Sequence, residues 1–180
     1  MRRQYRCLLA MAATGAWARL PSYCSAHEHL PEVLVMLGDT RLFLCTIKGA
    51  GVGFEYTMFL NAAECSLHCL FQPGPYLEGH PSLIHGGAIT AIIDGMLGTC
   101  TLAVARKVMT ANLSIDYLVP VPLGAAVLLD GHAERLEGRK VFLSCHVQSV
   151  EGDTLHARAT CLFIWLDPTE HRTREEDGGR

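Results

Sequence analysis

The sequence predicts an α+β domain in which roughly five to six antiparallel strands wrap around one buried central helix. Three observations predict it. From Arg41 onward the chain breaks into short β-like runs divided by turn residues. One segment, residues 86–105, interrupts them with apolar side chains on nearly all sides, as a helix enclosed by other elements requires. The run after that helix alternates cleanly, with Thr110, Asn112, Ser114 and Asp116 on one face and Met109, Ala111, Leu113, Ile115 and Tyr117 on the other.

Taken in order, residues 1–40 read as a helical or irregular leader broken at Pro21 and near Pro31. Arg2, Arg3, Arg6 and Arg19 precede its first acid, Glu28. That composition suits a mitochondrial transit peptide, the Ala16-Trp17-Ala18 stretch mimics a secretory cleavage site, and an ordinary amphipathic helix has the same look. Strands are expected at residues 41–48, 54–60, 66–72, 108–118, 125–136, 140–150 and 154–166. Gly49, Gly51 and Gly53 separate the first two, Asn61 ends the second, and Gly124, Gly138 and Gly152 mark later corners. The domain is therefore placed at residues 41–168, with a loose polar tail at 169–180. One helix embraced by antiparallel strands is the hot-dog arrangement.

The 180 residues suit one compact domain with some additional sequence. A net charge of -3 gives no electrostatic footing for nucleic acid. No stretch reaches the roughly 18 consecutive apolar residues of a membrane-spanning helix. The eight cysteines lack paired CxxC spacing, and several alternate with apolar residues in strands. They read as buried free thiols, which points to a reducing compartment, rather than as a disulfide framework or zinc ligands. No metal or other cofactor is expected.

Chemistry concentrates at Ile84-His85-Gly86-Gly87 and Asp94. The first turn of a helix leaves amide N–H groups without internal partners and carries partial positive charge, a setting suited to a developing oxyanion. Gly87 N–H is the candidate donor. A simple tight turn is the commoner meaning of such a glycine pair. Asp94 is the sharper signal, because a carboxylate amid Ile92, Ile93, Met96 and Leu97 is costly to bury. A buried structural hydrogen bond is its bland explanation; catalysis is the other. Gly87 and Asp94 are seven residues apart, on nearly one helix face and about 10 Å apart along the axis. One carbonyl carbon cannot touch both, so joint action requires two chains and a two-fold axis.

These residues carry a resemblance. The run His85-Gly86-Gly87 to Asp94 is similar to the motif of the PaaI-like hot-dog thioesterases. Gly53-Phe54-Glu55-Tyr56, Cys69-Leu70-Phe71-Gln72, Gly74-Pro75-Tyr76-Leu77-Glu78-Gly79 and Val108-Met109-Thr110-Ala111-Asn112-Leu113 narrow it. So do Glu137-Gly138-Arg139-Lys140, Val147-Gln148-Ser149-Val150 and Leu162-Phe163-Ile164. The ordered series, over about residues 51–168, resembles the branch of thioesterase superfamily members four and five.

The resemblance implies hydrolysis of medium- and long-chain fatty acyl-CoA, with Asp94 catalytic and Thr110 assisting. It implies substrate contacts at Asp116, Leu128, Arg139, Lys140, Val141 and Phe142, with Gly86 at the helix entrance. The branch usually carries Asn at the position of Asp116. Asp94 acts either as general base on a water held by Thr110 or as a nucleophile forming an anhydride. His85 shapes the turn, with acid–base action as its other reading. The resemblance further implies a homodimer, or a dimer of dimers, and a mitochondrial location, with the cytoplasm as alternative. Two rival functions are a scaffold binding a protein kinase, as in Akt-like signalling, and a hot-dog dehydratase.

Overall fold

The computed structural model describes residues 2–20, 53–101, 105 and 107–166. The first element, α1 (Arg2–Ala13), leads to β1 (Ala18–Leu20). Strands β2 (Phe54–Asn61) and β3 (Ser66–Pro73) form a hairpin. A short ribbon of β4 (Glu78–His80) and β5 (Leu83–Ile84) then delivers the chain to α2 (Gly86–Thr101). Four long strands complete the fold: β6 (Val108–Tyr117), β7 (Val127–Glu137), β8 (Lys140–Ser149) and β9 (Leu155–Trp165).

The main sheet runs β1-β2-β3-β7-β8-β9-β6, with every neighbouring pair antiparallel. Six strands fall where the β-like runs between turn residues place them, within about two residues at each end. The seventh is β1, which pairs with Leu60–Met58 of β2, although residues 18–20 read from sequence as part of a helical or irregular leader. Three residues are too few to show a period. The strand expected at 41–48, the breaks at Pro21 and Pro31, and the tail from residue 167 lie outside the described residues.

Helix α2 lies on one face of the sheet. Ile89, Ile92, Ile93, Met96, Leu97 and Cys100 are buried against Leu67, Cys69, Leu129, Val141, Leu143, Val147, Ala159 and Phe163. Enclosure on all sides was expected; within one chain the opposite side is open. Gly87 is exposed, and Thr90, Ala91, Asp94, Gly95, Gly98 and Thr99 are only half-buried. The large side chains have gone to the sheet and the small ones face away.

The other face of the sheet has its own small core. Tyr5, Leu8, Leu9 and Ala12 recur at helical spacing on α1 and pack, with Trp17 and Val150, around Phe59, Leu70 and Leu128.

Close approach of helix to sheet depends on Gly131 of β7. A Cβ there would stand 2.5 Å from Met96 Cε and 2.9 Å from Leu97 Cδ2. Gly131→Ala is expected to cost about 1–3 kcal/mol by overpacking. Urea denaturation measures it; an unchanged midpoint would mean that Met96 and Leu97 yield freely.

Candidate active site

The site starts from the entrance to α2. His85 precedes the helix and its Nδ1 accepts the Gly87 N–H at 2.9 Å, while its backbone carbonyl accepts from Ala88 at 2.9 Å. The imidazole thus does the work of a side-chain N-cap. Two glycines make room for it. A Cβ on Gly79 would lie 2.7 Å from His85 Cα, and one on Gly87 would lie 2.9 Å from His85 Nδ1. Gly87 N–H, the candidate oxyanion donor, is therefore engaged, and any substrate oxygen must displace the imidazole nitrogen to reach it.

Two turns along, Asp94 Oδ1 accepts a hydrogen bond from Thr110 Oγ1 at 2.8 Å. The bond joins the helix to β6, the terminal strand of the described sheet. Asp94 is half-buried and Thr110 is exposed.

Thr110 reaches the helix because β6 is not regular. The register skips between Thr110 and Asn112, so Ala111 is an extra residue and the strand bulges there. Facing partners share a side of the sheet. Thr110 faces Phe163, and beyond the bulge Leu113, Ile115 and Tyr117 face Cys161, Ala159 and Ala157, all core residues. Thr110 therefore shares its side with Leu113, Ile115 and Tyr117, whereas simple alternation groups it with Asp116. Asp116 lies on the outer face, where Arg158 Nε donates to its Oδ2 at 2.8 Å. The Cys161 thiol donates to the Asn112 carbonyl at 3.2 Å, beside the bulge.

The remaining candidates divide. Gly86 sits in the first turn, under the Tyr117 ring. Val141 lies in the cross-strand row of Thr110 and Phe163, but inside the core. Arg139 and Lys140 occupy the β7–β8 corner, and the Arg139 carbonyl accepts from Trp165 N–H at 2.8 Å. Leu128 is covered by α1 on the outer face, and Phe142 lies there under the Arg135 guanidinium at 3.9 Å. The structure thus brings Asp94 and Thr110 together, with His85, Gly86 and Gly87 two turns away. Asp116, Leu128 and Phe142 stand on the other side of the sheet within the chain.

Sequence reasoning missed Tyr117 and Thr90. Tyr117 Oη donates to the Gly86 carbonyl at 3.0 Å and lies 2.6 Å from Thr90 Oγ1, which itself reaches Gly86 O at 3.0 Å. The available signal was a tyrosine closing an apolar strand face, since a phenol there needs a polar partner. Among the described residues, no cluster of His, Cys, Asp or Glu has the arrangement of a metal site. None of the described helices is long and apolar enough to cross a membrane.

An antiparallel sheet closed over a single long helix, with an aspartate on the helix held by the next strand, defines the hot-dog thioesterase class. The sequence model of the thioesterase superfamily matches residues 82–162. Acyl-coenzyme A thioesterase THEM4 of Xenopus laevis is 47% identical over 156 residues, covering 86% of this chain and 70% of that protein. Acyl-coenzyme A thioesterase THEM5 of Homo sapiens is 31% identical over 174 residues, covering 92% and 70%. Among solved structures, an acyl-CoA hydrolase from Staphylococcus aureus in complex with butyryl coenzyme A, coenzyme A and coenzyme A disulfide shares the fold. It superposes with a TM-score of 0.55 at 20% identity over 59% of this chain and 69% of that one. The chain belongs to the thioesterase superfamily, alongside the THEM4 and THEM5 proteins.

Electrostatics mark the neighbourhood of Asp94. The Cys161 thiol is pushed up to about 12, by burial first and the Asp94 charge second. Burial also pushes Cys100 up to about 12 and raises Cys69 and Cys145 further from the ordinary 9.0. At about pH 8, iodoacetamide should therefore modify exposed Cys7 and spare these four until denaturant is added. The folded chain keeps thiol protons that the unfolded chain releases, so their contribution is complete below about pH 9 and is lost as pH rises beyond it. Mass spectrometry after labelling and melting curves on either side of that pH check both; native labelling of Cys161 would contradict the assignment.

Proposed function

We propose that this chain hydrolyses medium- and long-chain fatty acyl-CoA to free fatty acid and coenzyme A, as a symmetric dimer with two shared sites. The observation that carries the reading is the 2.8 Å bond from Thr110 to Asp94, on the side of α2 that a single chain leaves open. Asp94 has a reason to sit in an apolar helix if its free oxygen works there.

The shared site follows from distance. Gly87 and Asp94 lie on one continuous helix, about 10 Å apart along it. A second chain packed on the small-residue side of α2 in antiparallel sense brings its Gly87 toward this chain's Asp94. The same arrangement covers Asp94, Gly95 and Gly98. It also sets two copies of β6 side by side, covering Met109 and Tyr117, which are 58% and 52% exposed in one chain.

In the reaction, Thr110 donates to Asp94 Oδ1 and thereby directs Oδ2 at a water. The carboxylate takes one proton as the water oxygen attacks the thioester carbon. The carbonyl oxygen gains the electron pair and replaces the partner's His85 Nδ1 as acceptor for the partner's Gly87 amide. Collapse breaks the C–S bond, and the proton on Asp94 passes to the departing thiolate. Direct attack by Asp94, through an anhydride, would leave Thr110 with less to do. Arg139 and Lys140, at an exposed corner at the Thr110 end of the sheet, suit the phosphates of coenzyme A. We assign the protein to the mitochondrion; a relative from Candida albicans named as an uncharacterized mitochondrial protein is 27% identical over 116 residues.

Asp94→Asn should lower kcat for palmitoyl-CoA at least about a hundredfold, the scale of a lost general base, with circular dichroism unchanged. Free-thiol release across a panel of chain lengths measures it. Full activity in this variant would remove Asp94 from the chemistry. No release by the wild-type dimer on any acyl-CoA would favour a kinase-binding scaffold instead.

A further inference from the structure

We propose that Tyr117, assisted by Thr90, is a positioning residue for the oxyanion-stabilising peptide, acting on it through its carbonyl. The inference rests on the thioesterase reading for the role of Gly87, and on geometry alone for the clamp itself. The Gly87 N–H and the Gly86 C=O belong to one peptide unit. That unit is planar and trans, so its N–H points opposite to its C=O, and whatever fixes one fixes the other. Glycine on both sides makes rotation of this unit about its flanking bonds unusually easy. The helix ladder engages the Gly86 carbonyl from one side, through the backbone of residue 90, and side-chain donors to the same oxygen add a second hold on the unit.

The hold is present. Tyr117 Oη lies 3.0 Å from Gly86 O, Thr90 Oγ1 lies 3.0 Å from the same oxygen, and the two hydroxyls are 2.6 Å apart. Two hydroxyl protons fill two of these three contacts at a time, so one hydroxyl donates to the other and the second donates to the carbonyl; after loss of either group the remaining hydroxyl can donate to Gly86 O. Donation to the carbonyl also polarises the amide and strengthens its N–H as a donor. The fit is close: a Cβ on Gly86 would stand 3.4 Å from Tyr117 Cζ.

The bulge at Ala111 makes the clamp possible. Thr110 and Tyr117 are seven positions apart and would point to opposite faces of a regular strand. The extra residue turns both toward α2, so one strand holds the carboxylate of its own helix at one end and the donor peptide at the other. In the shared-site arrangement that peptide serves the partner's carboxylate.

The test compares Tyr117→Phe, Thr90→Val, their combination, and Thr90→Ser, which keeps the hydroxyl. Two quantities are read on the dimer: steady-state rates with palmitoyl-CoA, and the amide resonance of Gly87 in 15N-labelled protein. Tyr117→Phe should lower kcat about tenfold with KM within about twofold, and the double variant about a hundredfold, on the scale of a lost oxyanion donor. The Gly87 resonance should move in the same order, and Thr90→Ser should resemble wild type in both. A double variant that keeps kcat within about twofold, or a Thr90→Ser as impaired as Thr90→Val, overturns the proposal. If wild type releases no thiol at all, the thioesterase reading fails separately; the resonance then decides the clamp, and an unmoved Gly87 signal in the double variant overturns it.

Discussion

A single rigid helix sets the terms for the site. Residues 86–101 form one helix, so Gly87 and Asp94 keep about two turns between them whatever the surrounding strands do. They share a face, yet they cannot meet at one carbonyl. The helix also separates its side chains by size: Ile89, Ile92, Ile93, Met96 and Leu97 go to the sheet, while Gly95, Gly98 and Asp94 face away. The proposed chemistry at Asp94 and its proposed completion by another chain both start from this side-chain pattern.

The second constraint is the bulge in β6. It brings Thr110 onto Asp94 while keeping Leu113 and Ile115 packed against the core. A regular strand would have to choose between them. The cost is a broken register at the end of the described sheet, and the Cys161 thiol donates to a carbonyl there. Hydrogen-bonding side chains thus collect where the backbone ladder is irregular. At the helix entrance His85 does a comparable task, taking the Gly87 amide on its Nδ1.

Much of this was legible in the sequence. The strands at 54–61, 66–73, 127–137, 140–149 and 155–165 fall where short β-like runs are divided by turn residues, with Gly138 and Gly152 turning the chain between the last three. Asp94 stood out as an acid amid apolar neighbours, although within one chain it is only half-buried, and at the helix entrance His85 Nδ1 accepts the Gly87 N–H. The facing of Thr110 and Asp116 was not legible, since an inserted residue such as Ala111 has no local composition to announce it. Nor were the positions of Leu128 and Phe142. Leu128 stands between Val127 and Leu129, and Phe142 between Val141 and Leu143, so unbroken apolar runs do not announce which members face the helix; the register decides it.

The most direct measurement of the central claim is complementation between two disabled chains. One carries Asp94→Asn; the other carries Gly87→Pro, which deletes the amide donor. Co-expressed with different tags and purified as the mixed dimer, they contain one site with a native Gly87 facing a native Asp94. Shared sites predict recovery of about half the wild-type thiol release, one intact site of two. A mixed dimer as inactive as its parents would place both groups in the same chain's site and contradict the account.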